Sequence, residues 1–201
     1  MSNNNFYKRT NKYNLEQILE NKDTIYIFDI DGTLTDFNYD TRDFAEQIEH
    51  PNDYKRIRPL KTLQKFISKL NIDNVYSCSR SIFPEEHQSK TEFLVENYHM
   101  KPENIFYVYY NEDKIDVIKK IWEKTGVDSE LILVVEDNPS ILDHITLKTN
   151  FSNMHISHFI EWLLIIIIKK SPSLKSCLSG GGWFTATTLC GMAEFVNWIP
   201  I

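Results

Sequence analysis

The chain has 201 residues and a formal net charge of −6. That length suits one domain with a sizeable core and a short appendage, and it leaves no room for a second catalytic domain. Acidic and basic residues are mixed along the chain without forming a basic stripe, so the sequence disfavours a polynucleotide substrate and a nucleic-acid partner is not expected.

The cysteines and the amino terminus bear on the cellular compartment. Cys78, Cys177 and Cys190 are odd in number and have no metal-type spacing, a pattern that favours a reducing compartment over a disulfide framework. Residues 1–11 are polar and lack the apolar stretch of a signal peptide or membrane anchor. We therefore predict a cytoplasmic protein with a disordered lead-in over residues 1–13 and no transmembrane segment.

The first two predicted elements are a short helix and a buried strand. Asn14 is a predicted N-cap, and Gln17 three residues later completes a capping box for a helix that ends at Glu20. Residues 24–28 are all β-branched or aromatic, which indicates a strand buried on both faces.

Two carboxylates separated by one residue, Asp29 and Asp31, directly follow this strand, and Gly32 comes next. Buried carboxylates are costly unless their charge is used. The carboxyl end of a central parallel strand is where open α/β sheets bind ligands, and there the pair can hold a divalent cation and act on a phosphate. The alternative is a turn in which Asp31 serves only as a cap, but a turn alone does not require Asp29.

The run over residues 29–36, D-x-D-G-T-L-T-D, resembles the first motif of the haloacid-dehalogenase-like (HAD) superfamily, most of whose members are magnesium-dependent phosphoryl-transfer enzymes. The resemblance implies that Asp29 is a nucleophile that forms an aspartyl-phosphate and that Asp31 is the acid–base partner. Dehalogenases of the family lack the second aspartate, so the resemblance implies phosphate ester hydrolysis.

A polar segment, a helix and a second strand follow. Residues 37–58 are polar and form at most a flap, and residues 59–70, which begin with a proline, carry apolar side chains at helical spacing. Residues 74–78 form a short predicted strand that runs into two candidate serines. The family resemblance implies that a serine at the end of this strand binds the phosphoryl group. We place Ser79 there, with Ser77 as the alternative.

A helix over residues 84–98 and a strand over residues 105–110 come before Lys114. Asp113 is a predicted N-cap, which puts Lys114 in the first turn of an amphipathic helix. The helix macrodipole opposes a lysine at that end, so its placement needs a reason. Solvent exposure is one reason. The other, implied by the third motif of the resembled family, is that Lys114 pairs with Asp29 and the transferred phosphoryl group.

The fourth predicted strand, over residues 131–135, is uninterruptedly apolar and is followed by Glu136 and Asp137. The fourth motif of the resembled family has an acidic pair here that completes a magnesium site. The resemblance therefore implies Mg²⁺ held by Asp29, the Asp31 carbonyl and Asp137. The role of Glu136, which stands where many relatives carry an aspartate, is left open.

A competing resemblance concerns the same region. Residues 132–138 are also similar to the opening of a response-regulator receiver domain, in which a later strand-end aspartate accepts phosphate. No aspartate follows Asp143, and too few residues remain to complete such a domain. The missing phosphoacceptor excludes the receiver interpretation.

The carboxyl-terminal region differs in composition from the rest. Residues 154–159 are a candidate last strand, and the apolar residues 162–168 are too few to span a membrane. We assign residues 14–162 to a phosphatase-like domain and residues 163–201 to an apolar and linker-like tail. Three interpretations of the tail stay open: an element folded onto the core, a contact surface for an oligomer or a membrane surface, and an appended sequence without a selected role.

The four strand ends carry an acid, a serine, a lysine and an acid in turn, with helices between them. This order predicts an α/β fold with a doubly wound parallel sheet and a HAD-like, Rossmann-like core. The intervals where the family inserts caps hold too few apolar residues for a large cap domain, which predicts an open site. We expect a magnesium-dependent phosphomonoester hydrolase whose phosphorylated substrate the sequence does not identify. The alternatives are a catalytically idle HAD fold used as a binding or regulatory module, and a polynucleotide-end phosphatase.

Overall fold

The computed structural model describes residues 12–36, 54, 57–81, 84–109 and 112–170. In chain order the elements are α1 (Leu15–Glu20), β1 (Ile25–Phe28), β2 (Thr35–Asp36), β3 (Arg58–Pro59), α2 (Lys61–Ile67), β4 (Val75–Arg80), α3 (Pro84–Tyr98), β5 (Ile105–Val108), α4 (Lys114–Thr125), β6 (Ile132–Glu136), α5 (Pro139–Lys148), β7 (Ser152–His155) and α6 (Ile156–Lys170), with 3-10 turns at Ile72–Asn74, Pro102–Asn104 and Ser129–Leu131.

The central feature is a five-stranded sheet with the order β5-β4-β1-β6-β7, in which every neighbouring pair is parallel. The chain steps outward from β1 through β4 to β5, then returns to the other side of β1 and continues through β6 to β7. This is a doubly wound sheet whose winding reverses between β1 and β6, which makes that crevice the expected ligand site. The predicted fold class is confirmed.

Helices cover both faces of the sheet. On one face, alternate residues of β1, β4 and β6 form a buried core with α4 and α5, including Ile25, Ile27, Cys78, Val134, Ile118 and Ile145. On the opposite face the ring of Tyr26 meets the ring of Phe66 on α2 edge to face, with centroids 5.5 Å apart. Burial on both faces explains why β1 and the first four residues of β6 are uninterruptedly apolar.

Several predicted element boundaries are confirmed because local capping sets them. Asn14 caps α1 with both hydrogen bonds of the capping box, shared with Gln17. The helix α3 begins at Pro84 and ends at Tyr98, as predicted. Asp113 accepts a hydrogen bond from a backbone N–H of α4 and so places Lys114 at the first helical position.

The predicted start of the second helix at Pro59 is wrong. Pro59 lies in β3, where it pairs antiparallel with Thr35, and the helix α2 begins two residues later at Lys61. The backbone N–H of Leu60 donates to the Leu34 carbonyl at 2.9 Å. A contact with the segment that follows the aspartates therefore holds this stretch extended, and local helical spacing carries no information about it.

Four strand ends also differ from the prediction. The strand β5 ends at Val108, before its predicted end at residue 110, and β6 ends at Glu136, one residue later than predicted. The strand β4 continues to Arg80, past its predicted end at residue 78. The strand β7 ends at His155, so the second half of the predicted strand over residues 154–159 is the start of α6. His155 pairs with Glu136, the last residue of β6. The strand β7 therefore ends where its hydrogen-bonding partner ends.

The predicted flap, residues 37–58, falls outside the described residues except for Tyr54, Ile57 and Arg58, and so do residues 1–11 and 171–201. In the described parts of the two intervals where a cap would be inserted, the chain forms the β2–β3 pair, α2, α3 and two 3-10 turns, with no large cap. The chain divides into two compact units, Met1–Ile156 and Ser157–Ile201. None of the helices in the described part of the chain is long and apolar enough to cross a membrane.

Candidate active site

Three charged side chains meet at the carboxyl edge of the sheet, beside the point where its winding reverses. Lys114 Nζ donates to Asp29 Oδ1 at 2.6 Å and to Glu136 Oε2 at 2.6 Å. All three are buried, with 7% of Asp29, 5% of Lys114 and 2% of Glu136 exposed. Asp29 follows β1, Glu136 ends β6 and Lys114 begins α4, so three elements distant in sequence build this cluster.

The cluster perturbs the ionisation of Lys114 and Glu136. Burial alone would lower the pKa of Lys114, but the negative charges of Asp29 and Glu136 raise it above its ordinary value. Burial and the neighbouring Asp29 charge raise the pKa of Glu136 to about 8, although Lys114 opposes them. Burial beside Asp29 therefore outweighs the lysine in setting the ionisation of Glu136.

A third carboxylate, that of Asp137, is held close by the shape of the backbone around Gly32. Gly32 has a φ of +71°, and a Cβ atom at this position would lie 2.3 Å from Asp137 Oδ2. Only glycine both tolerates that conformation and leaves room for the carboxylate. His155 Nε2 lies 2.9 Å from the Asp137 carbonyl oxygen and ties the residue to the end of β7.

The carboxylates of Asp29, Glu136 and Asp137 can each offer an oxygen within 4.8 Å of the others. An all-oxygen donor set is what Mg²⁺ prefers, and it binds through one or two carboxylates while keeping several waters. Burial and the neighbouring Asp29 charge, which raise the pKa of Glu136, favour its neutral form, and a cation held by these oxygens would favour the ionised form. These residues therefore fit a magnesium ion, and they include two of the three residues predicted as its ligands.

The third predicted ligand, Asp31, directs its side chain elsewhere. Asp31 Oδ1 accepts a hydrogen bond from the Tyr54 hydroxyl, and Oδ2 accepts one from Lys90 Nζ at 2.7 Å. The predicted metal contact of Asp31 runs through its backbone carbonyl and stays a prediction. Sequence reasoning missed both Lys90 and Tyr54.

A signal for Lys90 does exist in the sequence. On α3 the buried residues Leu94 and Tyr98 continue backward in steps of four to Lys90 and then to Glu86. A lysine and a glutamate one turn apart on the inward stripe of a helix are an unusual pattern, because such residues are almost never fully buried unless they are paired.

The register of the sheet bears on the choice between the two candidate serines, both of which are buried in β4. Ser77 pairs with Phe28, the residue before Asp29. Ser77 therefore lies farther from the carboxyl edge of the sheet than Asp29, the candidate nucleophile. Ser79 lies two residues nearer the carboxyl edge and pairs with Tyr107 of β5. The register therefore favours Ser79 as the phosphate-binding serine.

A cavity of about 290 Å³ opens beside Lys114. Its lining mixes both charges with apolar surface and consists of Arg80, Glu112, Asp113, Lys114, Ile115, Ile141 and His144. Asp113 is already engaged, because its Oδ2 lies 3.4 Å from Lys148 Nζ and 3.7 Å from His144 Nδ1. Charged and apolar side chains therefore line an open space next to Lys114, on the side of the site formed by α4 and α5.

Several solved structures match the chain, and the two described here are weak likenesses. No family model and no curated protein matches the chain. One solved structure, the N-terminal part of a Bacteroides fragilis protein containing a phosphatase domain complexed with Mg, has a TM-score of 0.47 and 17% identity over 65% of this chain and 35% of that chain. The structure of DsGPDH of Dunaliella salina has a TM-score of 0.46 and 20% identity over 70% of this chain and 25% of that chain. At these scores, the chemistry of the site has to be argued from its own residues.

Proposed function

We propose that the protein is a magnesium-dependent phosphomonoester hydrolase of the HAD type, which acts through an aspartyl-phosphate on Asp29. The observation that carries the proposal is the buried Asp29–Lys114–Glu136 cluster at the switch point of the sheet, with Asp137 beside it. Burying an acid so close to a lysine and two further acids is costly without a use for their charges. Phosphoryl transfer uses Asp29 as nucleophile, Lys114 to stabilise charge on the phosphoryl oxygens and Asp137 as a magnesium ligand.

In the first step, a carboxylate oxygen of Asp29 attacks phosphorus, and the bond from phosphorus to the ester oxygen breaks. The leaving oxygen takes a proton from Asp31, so an alcohol departs. Lys114, already 2.6 Å from Asp29 Oδ1, lies where it can stabilise negative charge on the phosphoryl oxygens. Ser79 would hold another of those oxygens from the end of β4.

In the second step, a water molecule attacks the phosphorus of the aspartyl-phosphate, and Asp31 accepts the proton that the water loses. Inorganic phosphate leaves and the Asp29 carboxylate is regenerated. The 38% exposure of the Asp31 side chain gives water access to this position. When bound by Asp29, Asp137 and the Asp31 carbonyl, Mg²⁺ would neutralise phosphate charge that otherwise repels the nucleophile.

The test is hydrolysis of a generic aryl phosphate by the purified full chain with and without magnesium, with Asp29→Asn as the inactive control. Magnesium binding is measured separately by calorimetry on the wild type and on Asp137→Asn, which should bind more weakly. A screen of phosphorylated metabolites, nucleotides, phosphopeptides and end-phosphorylated oligonucleotides follows. A folded protein that binds magnesium but hydrolyses none of these compounds would point to the idle binding module instead.

A further inference from the structure

Lys90 is a charged side chain with no exposed surface, on a helix that the proposed mechanism does not use. Its Nζ atom lies 2.7 Å from Asp31 Oδ2, 2.8 Å from Glu86 Oε1 and 2.8 Å from the Arg80 carbonyl oxygen. These three acceptors match the three donors of an ammonium group. Removing a lysine from water costs several kcal/mol, and three well-placed acceptors offset that cost. Such a complete set of partners indicates that the contact of Lys90 with Asp31 has a role.

Tyr54 completes the arrangement around Asp31. Its hydroxyl donates to Asp31 Oδ1, while Lys90 takes Oδ2. Tyr54 is itself anchored on α3, because its backbone N–H donates to Ser89 Oγ at 2.9 Å and its ring packs edge to face on Phe93. The ring also lies 5.4 Å from Lys90 Nζ, so the two donors support each other. Both oxygens of Asp31 are therefore held from one side by α3 and the residue packed on it.

We propose that Lys90 and Tyr54 are positioning residues that fix the Asp31 carboxyl group for proton transfer to the leaving oxygen and from the hydrolytic water. This inference rests on the proposed function. The ionised carboxyl group has about four lone-pair sites, and the protonated group keeps acceptor capacity beside its O–H donor, so both contacts can persist while Asp31 gives and takes its proton. The Asp31 side chain stays 38% exposed, so a substrate can approach it.

We call the two contacts of Lys90 and Tyr54 with Asp31 the clamp. The position of Asp31 in the chain explains why a clamp is needed. Asp29 is the first residue after β1 and its backbone N–H donates to Val135 at 3.0 Å, whereas Asp31 lies in the turn that follows. A turn does not fix a side chain as a sheet does. A misplacement of about 1 Å of a catalytic group costs about a hundredfold in rate, so two donors on Asp31 would have a measurable effect.

A purely structural role for Lys90, tying α3 to the turn, makes different predictions. Loss of a structural tie lowers stability and leaves the dependence of the rate on the leaving group unchanged. Loss of a positioning residue reduces proton transfer, so it slows esters of poor leaving groups more than esters of good ones.

The experiment compares Lys90→Met and Tyr54→Phe with the wild type on a series of aryl and alkyl phosphates of graded leaving-group pKa. Lys120→Met, on the exposed face of α4, is the matched control and should leave turnover unchanged. We expect Lys90→Met and Tyr54→Phe each to lower kcat/KM, which reports the steps up to loss of the leaving group, by about tenfold to a hundredfold for alkyl esters and by less for the best aryl leaving groups. In an Asp31→Asn background the same substitutions should cost nothing further.

Equal losses for good and poor leaving groups, or full losses in the Asp31→Asn background, would overturn the inference. Lys90→Met also removes the ion pair with Glu86. A Lys90→Met/Glu86→Gln double variant, made in parallel, separates the effect of that lost pair from the effect on Asp31. If neither Lys90 variant folds, Tyr54→Phe decides alone, and unchanged turnover in it overturns the clamp. A folded wild type without magnesium-dependent hydrolysis overturns the proposed function and this inference with it, whereas an active wild type with normal clamp variants overturns only the inference.

Discussion

Two lysine clusters flank the end of β1, and each places its lysine between two carboxylates. Lys114 on α4 lies between Asp29 and Glu136, and Lys90 on α3 lies between Asp31 and Glu86. The second carboxylate comes from a different kind of element in each case. Glu136 belongs to the neighbouring strand β6, whereas Glu86 is one turn earlier on the same helix as Lys90.

This difference indicates what each cluster is suited to do. The cluster around Lys114 is set by strand register and is buried throughout, and burial together with the Asp29 charge raises the pKa of Glu136 to about 8. Such a site suits a cation and a fixed nucleophile. The cluster around Lys90 leaves Asp31 partly exposed and is carried by a helix and Tyr54. It suits a proton carrier that must meet substrate and water.

The largest effect is expected for Asp29→Asn, which removes the proposed nucleophile from the cluster around Lys114. The amide is nearly isosteric but cannot attack phosphorus, so kcat should fall by more than about ten-thousandfold. Asp143→Asn, exposed on α5, is the control and should keep full activity. Steady-state kinetics and circular dichroism check both. Turnover of Asp29→Asn near the wild-type rate would show that the cluster around Lys114 does not hold the nucleophile, and the proposed division of roles between the two clusters would fail.

Asp31→Asn should lower kcat by roughly a hundredfold to ten-thousandfold, because only proton transfer is lost. Magnesium affinity, measured by calorimetry, should stay close to that of the wild type, since the proposed contact is the backbone carbonyl. In kcat/KM, which reports the steps up to loss of the leaving group, the loss should shrink for aryl esters whose leaving groups need no protonation. A loss of the same size for every leaving group would count against the acid–base role.

Lys114→Met removes the positive charge from the cluster that Lys114 forms with Asp29 and Glu136. Removing the charge should lower kcat by roughly a hundredfold to a thousandfold. It should also destabilise the magnesium-free protein by about 3–5 kcal/mol, because buried Asp29 and Glu136 lose their counter-charge. Added magnesium should restore part of that stability in chemical denaturation. Equal destabilisation with and without magnesium would argue against a cation site at these carboxylates.

Gly32→Ala tests how closely Asp137 approaches the turn. The added Cβ would lie 2.3 Å from Asp137 Oδ2 at a φ of +71°, so we expect a loss of about 2–4 kcal/mol in stability and weaker magnesium binding. Gly126→Ala is the matched control, because Gly126 has a φ of +66° and no atom within 4 Å of an added Cβ. Its cost should be about 1 kcal/mol, without an effect on magnesium. Identical behaviour of the two variants would remove the steric argument.

The smallest effect is expected for the buried thiol of Cys78, which lies near Lys114, Asp29 and Glu136. Burial chiefly raises the pKa of its thiol to about 12, and Lys114 only partly opposes this. In a Cys177→Ser/Cys190→Ser background the native protein should resist a thiol reagent at pH 8 and react on unfolding. Above about pH 9 the unfolded thiol ionises while the folded one stays protonated, so the free energy of unfolding should fall as pH rises toward 12. Cys78→Ala should show a shallower decline, and a parallel decline in both proteins would contradict the raised pKa.

Much of this protein is determined locally by its sequence. The capping residues Asn14 and Asp113 set helix starts through hydrogen bonds to backbone groups within three residues. Apolar runs mark the buried strands, and the candidate site residues Asp29 and Asp137 each directly follow one of them. Because parallel strands align their carboxyl ends, the order of these residues along the chain was sufficient to predict that they meet at one edge.

The tertiary structure decided the features that depend on distant partners. Pro59 is extended because it pairs with Thr35, and β7 ends where β6 stops offering hydrogen bonds. Lys90 reaches Asp31 across 59 positions of sequence. No local propensity encodes that contact, since it exists only when α3 packs against the turn after β1. Strand ends therefore sufficed to bring Asp29 and Asp137 together, and the motif resemblance added the pairing of Lys114 with Asp29, whereas the contact of Lys90 with Asp31 is a product of packing.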